Sequence, residues 1–364
     1  MTSRLIVTHP GPFTTVQDLG RRGFRRYGVP VSGALHPDLA RIANALADNG
    51  EDAPLLEFCR SGPTLRAAGK AVRVACTGDV EIVLTRNGRR ALLCPWRTVT
   101  LEEGDLLRLG MVFTGRAGYL AVSGGLALEK IMGSGSTCLL GRDKSLGGLL
   151  LRKGQVLSVG RPNPPAGPER YLPRPPGRDG YGGPDPGCGP DDPVAIRVIP
   201  GPQVDRFTDE TLAGFYTGVF TVTRDAGRTG SRLAGPRLLH RKDLPPEIVS
   251  DAMVPGAIQV PGNGAPIVML ADGPTVGGYP KIAAVASVDL PRFASLEEGR
   301  RVRFHAVTAE KGADLLLERR RHLATQIASI APLTLVGDRV DLTPLFGTAQ
   351  SRRTTNDTRE QPTP

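Results

Sequence analysis

Short runs in which apolar and β-branched residues alternate with polar ones fill most of residues 1–160: Leu5 to Val7, Ala71 to Ala75, Val80 to Leu84, Thr98 to Leu101, Leu106 to Leu109 and Tyr119 to Val122. Gly, Asn or Asp bounds most of them, as turns between strands require. The period changes once, from about Pro37 to Ala47, where Leu39, Ile42, Ala43 and Leu46 recur at helical spacing. Pro37 suits the first helical turn, because the N–H it lacks has no partner there anyway. A compact β-rich domain with one helix is predicted over 1–160.

Residues 161–193 are so dense in Pro and Gly that they can continue neither a strand nor a helix, and they read as a linker. Beyond them, Val194 to Ile199, Gly218 to Thr223, Ala257 to Val260, Ile267 to Leu270, Ile282 to Ser287 and Arg301 to Phe304 restore the strand pattern. Thr308 to Ile327 is predicted helical, its stripe of Ala309, Ala313, Leu316 and Leu317 packing on a barrel. A second β-rich domain over 194–330, ending in that helix, follows, and residues 351–364 are expected to be a disordered tail. Many short strands and few helices make the fold mainly β, with barrels or sandwiches favoured over a doubly wound sheet.

Composition adds constraints. The 364 residues suit two domains. The chain is 40% hydrophobic and 23% charged, enough to bury cores. Its net charge of +10 invites a polyanion, but Arg and Lys are spread from Arg4 to Arg359 and aromatics make only 5%. A solvated basic surface is the expectation, with no nucleic-acid partner. The five cysteines lie far apart and the five histidines are scattered without ligand spacing, so no metal site is expected. With no signal-peptide apolar core and no run long enough to span a bilayer, the expected location is the cytoplasm, away from membranes.

Self-contained catalytic motifs are missing. The chain has no phosphate-cradling G-x-x-x-x-G-K-[ST], no G-x-G-x-x-G and no G-x-S-x-G elbow. Any biotin must arrive on another protein, since no Met is followed by Lys. What stands out instead is four groups of polar residues among glycines, where backbone and short side chains can approach a ligand closely.

The first group runs from Gly11 to Ala34, and its Thr14, Thr15, Gln17, Asp18 and Arg21 can bind a carboxylate or amide, or merely brace the turn. In the second, Met132 to Gly141 with Gly147 and Gly148, Ser and Thr among glycines form either an anion nest or a plain turn. The third pairs Arg228 with Arg232, a carboxylate clamp or two surface charges, and runs on to Ser250 and Asp251. The fourth carries Gln259 in Gly256 to Gly262, then an apolar strand ending in Asp272, Thr275, Tyr279 and Lys281 around Gly277 and Gly278. It delivers acid, hydroxyl, phenol and amine to a strand end, or needs its glycines only for the junction.

These groups, in this order, resemble the family variously called the C subunit of 5-oxoprolinase, allophanate hydrolase subunit 2 and biotin-dependent carboxyltransferase. TTVQDLGRRGFRRYGVP is the most specific stretch, followed by ADGPTVGGYPKIA and GAIQVPGNGAPIV, and the likeness covers roughly residues 4–310. It implies two cyclophilin-like β-barrel domains. It also implies a carboxyltransferase-like partner, the B subunit, and, once the A subunit joins the pair, the ATP-dependent opening of 5-oxoproline to glutamate. Relatives instead transfer a carboxyl group from carboxybiotin to urea, and others act as regulators that bind a kinase inhibitor similar to the B subunit. The common substrate theme is a small amide or lactam.

Under the enzyme reading, Arg228 or Arg232 holds the substrate carboxylate and Asp272, Thr275, Tyr279 and Lys281 orient the reacting amide, with Thr15, Gln17, Asp18, Arg21 and Gln259 lining the site. Three positions depart from the family pattern. His36 stands where an Asp is usual, Thr229 replaces the Met of Arg-Met-Gly, and Pro274 opens a stretch that otherwise reads Gln-Thr-Thr-Gly-Gly-Tyr. An imidazole in place of a carboxylate changes the substrate if it faces the ligand and is silent if it lies on the surface.

Overall fold

The computed structural model describes residues 3–139, 145–160, 167–181, 183, 185, 186, 188, 189, 191–333, 335, 336, 339 and 340. The expected tail, 351–364, lies outside them, as do residues 161–166 of the expected linker.

An eleven-stranded antiparallel sheet makes the first unit. Its principal strands are β1 (Arg4–His9), β2 (Thr14–Gln17), β3 (Leu55–Cys59), β4 (Thr64–Ala68), β5 (Val72–Arg86), β6 (Arg89–Leu93), β7 (Arg97–Leu101) and β8 (Leu106–Val122). The runs at Val80 and at Tyr119 are not separate strands: each is the far end of one long, bent strand, β5 or β8. The bends sit at glycines, which can take left-handed φ without a Cβ clash. Gly78 has φ 103° and Gly115 φ 83°. β8 therefore serves two neighbours, its first half pairing β4 through Leu106–Arg108 and its second half pairing β3 through Ala117–Leu120.

Val194–Pro200, Lys281–Val285, Ala257–Gln259, Ile267–Met269, Gly230–Ala234, Phe220–Ala226 and Arg301–Ala306 close in that order into a seven-stranded barrel, the second unit. Alternation is visible in its first strand, where Val194, Ile196 and Val198 face inward and are buried. Phe215, on helix α2 (Asp209–Thr217), stacks on Phe304 at 4.9 Å and lies 6.0 Å from Phe220, sealing one end.

Helix α1 (Pro37–Leu46) buries the predicted face, Leu39, Ile42, Ala43 and Leu46, on the outer side of the first sheet. The last helix behaves differently. With α3 (Leu290–Ala294) preceding it, α4 (Ala309–Ala328) leaves the barrel and returns to α1, burying Gly312 and Leu323 while Ala309, Ala313 and Leu317 of the expected stripe are exposed. Leu323 joins the cluster of Leu39, Ile42 and Tyr181, and Arg319 bonds Asp38 at 2.5 Å. The face that packs is set by Gly312, which lies against Ile199 and Ala286, and by Leu323. Ala331–Pro332 then pairs with Arg170–Tyr171, a strand from the Pro/Gly-rich stretch, at the edge of the first sheet. Leu172 and Tyr181 of the same stretch are buried, the latter against Trp96.

His36, one of the departures from the family pattern, is buried and lies outside the cleft lined by Arg228 and Asp272. It is the N-cap of α1: Nδ1 accepts the N–H of Leu39 at 3.4 Å, and Nε2 bonds the carbonyl of Gly180 at 3.0 Å. Burial, and then the positive Arg319 nearby, push its pKa down to about 4. The folded pKa lies below the unfolded value of about 6.5, so the unfolded chain binds more protons between the two. Stability from neutral His36 is thus complete above about pH 6.5 and is lost as pH falls toward 4, by about 3 kcal/mol in all. His36→Asn keeps a capping acceptor but cannot titrate. Urea denaturation between pH 7 and 4 is expected to show a shallower fall for this variant than for the native chain; parallel curves refute the assignment.

Candidate functional site

The first polar group, Gly11 to Ala34, forms from Thr14 onward a strap that ties the two units together. Asp18 is the hub of its buried end. Its carboxylate accepts the Ser134 and Ser136 hydroxyls at 2.7 and 2.5 Å and the N–H groups of Gly20 and Gly135 at 2.7 and 2.6 Å. The serine-glycine nest is therefore an anion site filled by the chain's own carboxylate. Gln17 donates to Thr15 and to the Thr137 carbonyl, and Arg21 to the carbonyls of Ser136 and Leu146. All four residues are buried behind the strap, where Thr15, Gln17, Asp18 and Arg21 organise the loop. Burial lowers the pKa of Arg21, with Cys138, Asp18 and Asp272 opposing the fall.

Further along, the strap crosses to the barrel. Arg25 donates to the carbonyls of Met253 and Pro274, and the Ser32 N–H reaches the Ala271 carbonyl at 2.9 Å. Gly33, at φ 84°, lies so close to Gly20 that a Cβ would sit 2.7 Å from its nitrogen. Leu35 then enters the barrel's own hydrophobic core.

At this crossing lies a buried ion cluster. Arg228, from the hairpin between Phe220–Ala226 and Gly230–Ala234, grips Asp272 with Nε and Nη2 at 2.7 and 3.1 Å. It also bonds Glu57 of β3 through Nη1 and the Gly33 carbonyl through Nη2. The other oxygen of Glu57 accepts the Leu35 N–H and the Tyr119 hydroxyl at 2.7 and 2.8 Å, and the Tyr119 oxygen accepts the His36 N–H at 2.9 Å. Burial alone would lower the pKa of Arg228, but Glu57 and Asp272 hold it well above its ordinary value. Burial, then Glu57, raises that of Tyr119. Glu57 and Tyr119 escape sequence reasoning; the one signal is a lone carboxylate inside the apolar run LLEFC.

The expected carboxylate clamp is not formed. Arg232 points outward from the barrel and is exposed, because strand alternation sends it opposite to Ser231 and Leu233. Arg228 makes four hydrogen bonds, all to protein groups. The fourth group also divides: Asp272 joins Arg228, whereas Lys281 is buried and bonds Asp251 at 2.6 Å. Gln203 bridges Asp251 and the Lys281 backbone, and Gln259 donates to the Tyr279 carbonyl. Tyr279 is exposed and Thr275 half-buried; the Thr275 carbonyl accepts the Met253 N–H.

Beside the ion cluster a cleft of about 780 Å³ opens between the β3–β8 edge and the barrel. Of the expected site residues, Arg228 and Asp272 line it. Phe13, Leu35, Met111, Val112 and Leu139 give it an apolar wall, and Arg60, Arg116 and Arg224 bring positive charge. Burial, then Glu57, pushes the Cys59 thiol in this lining up to about 12, so it is protonated and a poor nucleophile at neutral pH. Among the described residues no group of His, Cys, Asp and Glu is arranged to hold a metal ion, and no helix is long and apolar enough to cross a membrane.

Comparison with known proteins fits this architecture. Residues 27–306 match the carboxyltransferase domain, subdomain A and B. The chain is similar to the C subunit of 5-oxoprolinase from Escherichia coli, 31% identical over 322 residues that cover 87% of this chain and 96% of that protein. It is 30% identical to urea amidolyase of Lachancea kluyveri over 85% of its own length but spans 17% of that protein. It superposes on the solved Kluyveromyces lactis urea carboxylase with TM-score 0.76 and 26% identity, covering 93% of this chain and 30% of that one.

Removing Arg228 leaves Glu57 and Asp272 facing each other without a cation. Arg228→Ala is expected to lower the unfolding free energy by about 3–5 kcal/mol, and Arg232→Ala to change it by less than about 0.5 kcal/mol. Urea titration of both variants checks this; equal effects contradict the assignment.

Proposed function

The chain belongs to the carboxyltransferase domain family, subdomain A and B, and on that premise we propose that it is the C-type subunit of an ATP-dependent 5-oxoprolinase complex. Together with the A and B subunits it opens 5-oxoproline to glutamate: water adds across the lactam C–N bond, giving the second carboxylate and a free amine. The observation that carries this reading is the end-to-end correspondence with a protein bearing that name, 96% of which is covered.

The cleft is consistent with a divided site. It presents cations and an apolar wall to a compact ring, while its thiol is held protonated, its one aspartate is bound to Arg228, Glu297 accepts the Gly115 N–H and Glu298 stands by Arg60. Binding and orientation then fall to this chain, and the attacking water and the use of ATP fall to its partners. Carboxyl transfer to urea from carboxybiotin on a separate carrier is the second reading, favoured by the superposition on urea carboxylase. The apolar wall and the arginines also fit a carboxylated ureido ring. Any biotin would be carried by another protein.

Reconstitution with the A and B subunits is expected to give 5-oxoproline-dependent ATP hydrolysis with glutamate as product, measured by coupled assay. Three soluble subunits without turnover, together with consumption of carboxybiotin in the presence of urea, favour the second reading instead.

A further inference from the structure

Among the described residues, the cleft lining holds one half-buried guanidinium that the protein leaves almost unengaged, while Arg60 and Arg224 beside it are exposed. Arg116 follows the left-handed bend of β8 at Gly115, so it sits where that strand turns from β4 to β3. Its side chain is half-buried, yet it makes a single hydrogen bond among the described residues, from Nη1 to the Ser231 hydroxyl at 3.4 Å. A guanidinium carries five N–H donors. The remaining donors therefore have no partner among the described residues.

The nearby charges do not satisfy it. Arg228 takes up Glu57 and Asp272. Glu297 accepts the Gly115 N–H and acts on Arg116 through space without a hydrogen bond to it, and Glu298 stands 3.9 Å from Arg60. Arg60 is joined to Arg116 by its backbone N–H on the Arg116 carbonyl at 3.3 Å, and its exposed side chain adds positive charge at the mouth. Burial lowers the pKa of Arg116, with Cys59 and Glu57 opposing the fall, as for a cation that has lost water without gaining a full ion pair. A half-desolvated, planar, five-donor cation facing a cavity is matched by a carboxylate, which can take two parallel N–H bonds. The apolar wall of Phe13, Leu35 and Val112 suits the body of a small ring.

We propose that Arg116 is the anchor for the carboxylate of a small monocarboxylate ligand in this cleft, a role from which Glu57, Asp272 and Gly33 hold back Arg228 and from which Arg232 is turned away. Naming that ligand 5-oxoproline rests on the function proposed above; the anchor itself rests on the geometry. Ring contacts place the ligand, and the paired guanidinium–carboxylate bonds fix which end points inward.

The test compares 5-oxoproline with 2-pyrrolidinone, the same lactam without the carboxylate, binding to the full chain by calorimetry or ligand-observed NMR. The native chain is expected to bind 5-oxoproline at least about 10-fold more tightly. Arg116→Gln removes that difference while leaving 2-pyrrolidinone binding unchanged, and Arg116→Lys restores part of it as a point charge. Equal binding of the two rings by the native chain, no binding of 5-oxoproline, or an unchanged affinity in Arg116→Gln overturns the proposal. The ring comparison on the native chain stands even if a variant misfolds. In the reconstituted complex the same substitution is expected to raise KM for 5-oxoproline more than it lowers kcat. A carboxylate preference that depends on Arg116, in a complex that opens no lactam, removes the proposed function and keeps the anchor. Turnover with an unmoved KM in Arg116→Gln does the reverse.

Discussion

The structure turns on a single buried cation. Arg228 extends from the barrel into the first unit and holds a carboxylate from each, Glu57 and Asp272, together with the Gly33 carbonyl of the strap between them. Charges this far from water are expensive to bury and are tolerated only when paired and hydrogen-bonded, as Arg228 is by two carboxylates and a carbonyl. Such a cluster adds little net stability compared with an apolar plug, but its geometry is demanding. It fixes the angle between sheet and barrel, and with it the width of the cleft they enclose.

Polar residues of the site therefore fall into two kinds. Asp18, Gln17, Arg21, Gln259 and Lys281 spend their hydrogen bonds on the chain itself. Arg21 keeps Nε and Nη1 without a partner in the buried end of the strap, whereas Arg116, where β8 bends, turns its spare donors toward the cleft. A site of this construction is preorganised: the groups that could collapse onto a ligand's charge are already held by other partners, and a ligand meets a cation whose desolvation has been offset elsewhere by folding.

Much of the fold is legible in the sequence because alternation reports a half-buried strand directly, and because α1 shows a clean helical face. The strands β5 and β8 read as fragments, since a glycine inside a strand and a glycine in a turn look alike without the partner strand. The rich polar loops stand out in the sequence and do have a special role, for they form the strap and the crossing. Their chemistry is less legible. Whether Asp18 binds a ligand or the chain's own serines depends on Ser134 and Ser136, more than a hundred residues away. Glu57, Tyr119 and Arg116 sit in ordinary strands, and nothing local distinguishes a strand arginine that faces a cleft from one that faces solvent. His36 shows the same limit: standing where the family pattern has an acid, it keeps an acceptor at a helix start, a role that Asp fills more commonly.

The path of α4 has a further consequence. Because Leu323 and the strand Ala331–Pro332 complete the unit begun by β1, the barrel is an insertion clasped at both ends by its neighbour. The first unit does not own a contiguous stretch of sequence, so the boundary between folding units does not coincide with a boundary along the chain. Because Leu323 packs on the first unit, the last helix has to leave the ribosome before that unit can close its outer layer.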